Sequence, residues 1–251
     1  MKKVEVLAVL GNWQLAPGIF SLTLKLPECK PLPGQFVMLY LESGAHLLPR
    51  PISICDVGGD QLRLVYQVVG AGTQQLSALS PGAQLRMLGP LGNGFALKPG
   101  LKTACLVGGG IGSPPLLLLA KELTRQGVRT QVFLGFRDRS ILSGEFAGLG
   151  CEVNIATDSG REGFHGNVIA LLREKAPSVD ELFSCGPKVM LSGLASYARD
   201  RGIPCQVSLE ERMACGLGAC VGCVAKAGDG YKKVCCDGPV FYSDEVVLDE
   251  Y

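Results

Sequence analysis

The run Ala104-Cys105-Leu106-Val107-Gly108-Gly109-Gly110-Ile111-Gly112-Ser113-Pro114-Pro115 decides the fold. Its first four residues predict a buried strand, its glycines a tight turn, and the apolar stretch from about Pro114 to Arg125 a helix. Glycines let a backbone close on a pyrophosphate, and a helix N-terminus adds free N–H groups and the positive end of a dipole. Proline at the helix start is harmless, because that N–H has no intrahelical partner. A plain strand-to-helix turn carries similar residues, and the run departs from the usual G-x-G-x-x-G form. Its context of strand, loop and helix predicts a nucleotide-binding unit.

Downstream, Gln131-Val132-Phe133-Leu134, Glu152-Val153-Asn154-Ile155 and Leu182-Phe183-Ser184-Cys185 read as strands. Helical stretches at 166–175 and around Val189 to Asp200 alternate with them, which predicts a parallel sheet over 99–208. Upstream, Leu22 to Leu26, Phe36 to Tyr40 and Leu62 to Tyr66 form short apolar-rich runs between turn signals such as Pro31-Leu32-Pro33-Gly34 and Gly58-Gly59-Asp60. Short strands at this spacing predict a β-barrel or sandwich over 1–98. Residues 209–251 lose aliphatic periodicity and gain Cys and Gly, so a small third segment is expected, constrained by a metal centre rather than by its own core.

A net charge of +1 offers neither a nucleic-acid nor a polybasic membrane surface. Glu5 and Gly11-Asn12 interrupt the apolar stretch after Met1-Lys2-Lys3, so a first strand is expected there and not a signal peptide. The longest apolar run, Leu116 to Ala120, is far too short for a bilayer. A soluble cytoplasmic protein is the expectation.

Of the 11 cysteines, six are scattered and five crowd the C-terminal end: Cys215, Cys220, Cys223, Cys235 and Cys236. The spacing Cys215-x4-Cys220-x2-Cys223 matches that of plant-type [2Fe-2S] loops, with the fourth cysteine arriving much sooner than in those proteins. Gly216, Gly218 and Gly222 between the ligands let the backbone approach the inorganic sulfurs. Structural zinc prefers paired C-x2-C knuckles, and only Cys220 and Cys223 form one. An iron–sulfur cluster is the better reading. Cys235 and Cys236 are adjacent, so spacing leaves open which of them is the fourth ligand.

In the β-rich part, Arg50-Pro51-Ile52-Ser53 precedes Gly70-Ala71-Gly72-Thr73 and Gly89-Pro90-Leu91-Gly92. An arginine fork beside such a turn suits phosphate oxygens, although an edge strand with this sequence needs no ligand. Taken with Pro33-Gly34-Gln35-Phe36, the glycine loop and Cys185-Gly186-Pro187, the set resembles the ferredoxin–NADP reductase superfamily. That resemblance implies a β-barrel FAD domain followed by an α/β parallel-sheet nucleotide-binding domain. It implies FAD contacts from Arg50, Pro51, Ile52, Ser53, Gln67, Val68, Val69, Gly72 and Thr73. It places Gly110, Gly112, Asp158, Cys185 and Gly186 along the nicotinamide nucleotide or beside the flavin. Ile52 stands where many members carry an aromatic residue, and the aromatic that covers the flavin in plant-type members has no clear counterpart.

A closer resemblance rests on Glu210-Glu211-Arg212-Met213-Ala214-Cys215-Gly216-Leu217-Gly218-Ala219-Cys220 and Lys233-Val234-Cys235-Cys236-Asp237-Gly238-Pro239-Val240-Phe241. These are similar to the electron-transfer subunits of type B dihydroorotate dehydrogenase. The resemblance implies cluster ligands Cys215, Cys220, Cys223 and Cys235, with FAD and [2Fe-2S] as cofactors and NAD as a diffusible substrate. It implies a partner: an FMN-containing catalytic subunit that oxidises dihydroorotate to orotate, in a heterotetramer of two of each. No acid or base for that oxidation is expected in this chain, and His46 and His165 read as structural or surface residues rather than catalytic ones. Two other readings are a subunit of a related electron-bifurcating or sulfide-type reductase and a cluster-bearing redox sensor. NAD against NADP is left open, with Arg137 and Arg139 near a strand end.

Overall fold

Alternating apolar residues in the first third build six strands among the described residues: β1 (Val4–Ala16), β2 (Ile19–Lys25), β3 (Phe36–Tyr40), β4 (Arg50–Gly58), β5 (Gln61–Gln67) and β6 (Gln84–Leu91). They close into an antiparallel barrel in the order β1-β2-β5-β4-β3-β6. Val9, Leu22, Leu24, Val37, Leu39, Ile54, Leu62 and Leu64 fill its interior. The architecture comes from a computed structural model that describes residues 3–27, 29–41, 48–228 and 230–248; His46 lies outside them.

The Gly70-Ala71-Gly72-Thr73 stretch, expected as a turn, opens a short helix, α1 (Ala71–Ser77). Thr73 Oγ1 accepts the Val69 and Gly70 N–H groups at 2.9 and 3.2 Å and so fixes the start of the helix. Asn12 Nδ2 donates to the carbonyls of Leu76 and Leu79 at 2.9 and 3.0 Å, which ties the other end to β1.

Next come β7 (Thr103–Gly109), a 3-10 turn (Gly110–Gly112), α2 (Pro115–Arg125), β8 (Arg129–Phe136), α3 (Ser143–Gly148) and β9 (Glu152–Thr157). They are followed by β10 (Phe164–His165), α4 (Val168–Lys175), β11 (Glu181–Cys185), α5 (Lys188–Arg201) and β12 (Cys205–Ser208). These strands pair in parallel in the order β10-β9-β8-β7-β11-β12. The chain leaves β7 toward β8 on one side and returns as β11 on the other. A crevice therefore opens where the direction reverses, between the C-terminal ends of β7 and β11.

The last segment forms a hairpin, β13 (Val224–Ala227) and β14 (Gly230–Lys233), and a strand, β15 (Val240–Tyr242). β15 extends the parallel sheet as an antiparallel edge, with Val207 opposite Phe241. Val234, Cys235, Phe241 and Val246 pack into the same core as β7 and β11. Constraint that the sequence suggested would come from a metal alone is thus supplied in part by the sheet. Among the described residues no helix is long and apolar enough to cross a membrane.

Polar clasps join the barrel to the helices α2 and α3. Lys121 Nζ donates to Asp56 Oδ1 at 3.0 Å and to the Val57 carbonyl at 2.9 Å. Arg63 pairs two-pronged with Glu145 and donates Nε to Ser21 Oγ at 2.9 Å. Glu145 is partly exposed, so solvent screens the pair. Arg63→Ala is expected to cost about 1 kcal/mol, read as a lower thermal midpoint.

Candidate flavin and cluster site

The end of the barrel, α1 and the start of the C-terminal segment enclose a cleft of about 450 Å³, a size suited to a cofactor ring system. Arg50, Pro51, Ile52 and Ser53 of β4, Gln67 at the end of β5, Val69 and Thr73 all line it. Arg50 Nη1 donates to the Leu48 carbonyl at 2.7 Å. Its guanidinium lies directly on Gly72, where a Cβ would collide with it. Glycine is therefore needed at 72 for close approach, which sets the arginine fork beside the unpaired N–H groups at the start of α1. Val68 turns instead toward the barrel core.

Ile52 offers no ring, but Phe36 and Tyr66, which sequence reasoning missed, line the same cleft. Tyr66 is held by its hydroxyl donating to Asn12 Oδ1 at 3.3 Å and by stacking on Phe20 at 6.0 Å. Burial pushes its phenol up to about 12. The opposite wall was also missed: Ile111 and Pro115 from the glycine loop, Leu209, Glu210, Glu211 and Met213 after β12, and Pro239 before β15. The available signal was the Glu210-Glu211-Arg212-Met213 stretch, whose order stood out without suggesting a role.

At the sheet crevice Gly110 adopts a positive φ of 54°, which glycine accommodates freely. Gly112 packs so closely on the Cys185 carbonyl and Gly186 that any Cβ would strike backbone. The loops after β7 and β11 are thus in contact across the switch point. Cys185 is fully buried, and burial drives its thiol well above its usual range. The Glu210 carboxylate lies near enough to add to that shift, and its own pKa is raised by the surrounding protein. Asp158 is not in the cleft. It is exposed just past β9, two strands from the glycine loop, and donates its N–H to the Phe136 carbonyl at 3.1 Å.

Beyond Met213 the chain enters the cysteine loop, which packs on the barrel through Gly216 against Met38 and Leu91. The thiols close in twos. Cys215 and Cys220 stand 3.3 Å apart, and Cys223 contacts Cys235 by hydrogen bond. Among the described residues no three His, Cys, Asp or Glu side chains gather as they would around a single ion. Backbone N–H groups of Cys220 and Leu217 point at Cys215 Sγ, both at 3.4 Å, and draw its thiol down to about 6. The Gly218 N–H donates to Cys235 Sγ at 3.2 Å, while burial pushes that thiol up. Two thiol pairs with N–H donors on their sulfurs fit a two-iron cluster, one pair for each iron. Cys236 is half-buried beside Gly218 and Asp237.

Barrel and sheet meet here as they do in ferredoxin–NADP reductases, which makes the chain an electron-transfer flavoprotein with a thiol loop added at the sheet edge. An NADH-dependent reduced ferredoxin–NADP oxidoreductase studied for flavin-based electron bifurcation superposes with a TM-score of 0.88 at 28% identity, covering 97% of this chain and 90% of that one. A ferredoxin NADP+ reductase from Neisseria gonorrhoeae with bound FAD and NADP shares the fold at a TM-score of 0.68 and 18% identity, over 80% of this chain and 92% of that one. Residues 210–247 match the iron–sulfur cluster binding domain of dihydroorotate dehydrogenase B. The electron transfer subunit of dihydroorotate dehydrogenase B (NAD(+)) from Caldanaerobacter subterraneus subsp. tengcongensis is 42% identical, over 96% of this chain and 97% of the relative. Its counterpart from Geobacillus sp. (strain WCH70) is 44% identical, over 99% and 100%. The chain belongs to the family of electron transfer subunits of dihydroorotate dehydrogenase B (NAD(+)).

Proposed function

We propose that this chain carries electrons between NAD(H) and a separate FMN-containing catalytic subunit that oxidises dihydroorotate to orotate in pyrimidine synthesis. FAD exchanges a hydride with a nicotinamide and single electrons with a cluster, so the pair joins two-electron to one-electron chemistry. The observation that carries the reading is the shared wall: Met213 lines the flavin cleft and Cys215 follows two residues later. Two residues of chain span at most about 7 Å, so flavin and cluster sites adjoin.

Arg50, with α1 and Thr73, holds the FAD pyrophosphate in this reading. Pro51, Ile52, Ser53, Gln67, Val68 and Val69 face or back the rest of the cofactor. Gly110, Gly112, Cys185 and Gly186 keep the crevice floor low enough for a nicotinamide to reach the flavin, and Asp158 lies farther along the dinucleotide. Cys215, Cys220, Cys223 and Cys235 are the cluster ligands. The functional units are 1–98 for FAD, 99–208 for NAD and 209–251 for the cluster. Leu217, Val221 and Tyr231 around the cysteine loop are 50%, 71% and 73% exposed, an apolar rim suited to the catalytic partner in a cytoplasmic heterotetramer of two of each. The identity of 42–44% with dihydroorotate dehydrogenase subunits, against 28% with the bifurcating reductase, favours this reading over the reductase alternative.

The test is an absorption spectrum with iron and acid-labile sulfide analysis on anaerobically purified protein, before and after NADH. One flavin and two irons per chain, with NADH bleaching the flavin, is the expected result. Zinc without flavin would overturn the reading, and a cluster that NADH leaves unreduced would favour a sensor.

A further inference from the structure

We propose that Lys233 raises the reduction potential of the cluster, acting on it through the peptide between Gly218 and Ala219. The inference rests on the reading of Cys215, Cys220, Cys223 and Cys235 as cluster ligands. A reduced cluster carries one more negative charge than an oxidised one, and no bond forms or breaks when the electron arrives. Cations and hydrogen-bond donors held near the sulfurs therefore favour the reduced form.

Gly218 is where the two thiol pairs converge. Its N–H donates to Cys235 Sγ at 3.2 Å, and the N–H of the next residue, Ala219, is hydrogen-bonded to Cys215. The peptide between Gly218 and Ala219 is trans, so its carbonyl and its N–H point in opposite directions. Lys233 Nζ donates to that carbonyl at 2.8 Å. Ammonium, peptide and sulfur thus form a chain, with the positive charge at the carbonyl end and the thiolate at the N–H end. The ammonium draws electron density onto the carbonyl oxygen and strengthens the N–H as a donor, because linked hydrogen bonds polarise one another.

The backbone around the lysine fixes its position. Lys233 ends β14 opposite Val224, the residue that follows Cys223. Its carbonyl accepts the Cys236 and Asp237 N–H groups at 3.1 and 2.8 Å, and its own N–H donates to Asp237 Oδ2 at 2.6 Å. The hairpin thereby returns the half-buried side chain to the cysteine loop, 15 residues back along the chain. Asp237 is engaged by that backbone N–H and, among the described residues, forms no ion pair with the ammonium.

The experiment is an anaerobic redox titration of the FAD- and cluster-loaded protein, with the cluster read by electron paramagnetic resonance and the flavin by absorption. The parent is compared with Lys233→Met, Lys233→Gln and Lys233→Arg, and iron and sulfide are assayed in each. In the two neutral variants the equilibrium constant for adding the electron is expected to fall about tenfold, or about 59 mV for a one-electron couple. The flavin potential should stay with the parent's. Lys233→Arg, which returns a cationic donor to the carbonyl, should recover most of the fall, a separation by charge that a purely structural role would not produce. A cluster potential equal to the parent's in Lys233→Met at full iron content overturns the assignment, as does an arginine variant that behaves like the methionine one. Loss of iron from both neutral variants would make the lysine a support for loop assembly and overturn it as well. If the unaltered protein holds no iron, the four-thiolate reading itself falls, and the iron assay tells the two failures apart.

Discussion

Replacing Cys220 with alanine is expected to abolish the iron–sulfur absorption and leave FAD bound. Cys220 is half of the Cys215–Cys220 pair, with 3.3 Å between the sulfurs, so under the proposed ligand assignment its loss would leave one iron with a single protein ligand. The other thiol of the segment, Cys236, lies against Gly218 with its sulfur 3.7 Å from Asp237 Oδ1. The flavin wall stands on other supports. The Leu209 N–H donates to the Pro239 carbonyl at 2.9 Å, and β15 stays paired with β12 through Val207 and Phe241. Iron and sulfide analysis should therefore fall to background while flavin occupancy stays near that of the parent. Loss of both together would show that the cysteine loop is a folding element of the flavin site, and Cys236→Ala should leave both in place.

Arg50→Ala is expected to loosen FAD by the amount typical of a lost charge-assisted contact, about 1.5–3 kcal/mol, or about 10- to 150-fold in dissociation constant. The guanidinium is packed on Gly72 beside the first turn of α1, so its charge is delivered to one place rather than spread through solvent. Gly72→Ala should act in the same direction with the arginine still present, because the new Cβ displaces the fork. Both are read by ultrafiltration of flavin from the holoprotein at increasing salt. Flavin retention equal to the parent's in both variants would remove Arg50 from the site.

Much of this architecture was legible locally. Period-two alternation at Leu22 to Leu26 and Leu62 to Tyr66 marks strands, and the glycine run before Pro114 marks a strand-to-helix turn. Both depend on contacts within a few residues. The cysteine spacing was legible for the same reason, since a loop that presents thiols to one cluster must place them a few residues apart. The closed order of the barrel, by contrast, follows from pairings such as Val4 with Leu88, which no local pattern encodes.

By itself the sequence determined the kinds of element, the thiol loop and the arginine strand that lines the cleft. Tertiary structure alone decided that Tyr66 and Phe36 form a cleft wall with Glu210, Met213 and Pro239, and that Cys185 is buried while Asp158 lies two strands away. It also distinguished the neighbours Cys235 and Cys236, sealing the first beneath the Gly218 N–H and turning the second toward Asp237. The physical reason is range. Propensity, periodicity and ligand spacing act along the chain, whereas a cleft is made of side chains brought together from segments more than a hundred residues apart, by packing that leaves no periodic trace in any one of them.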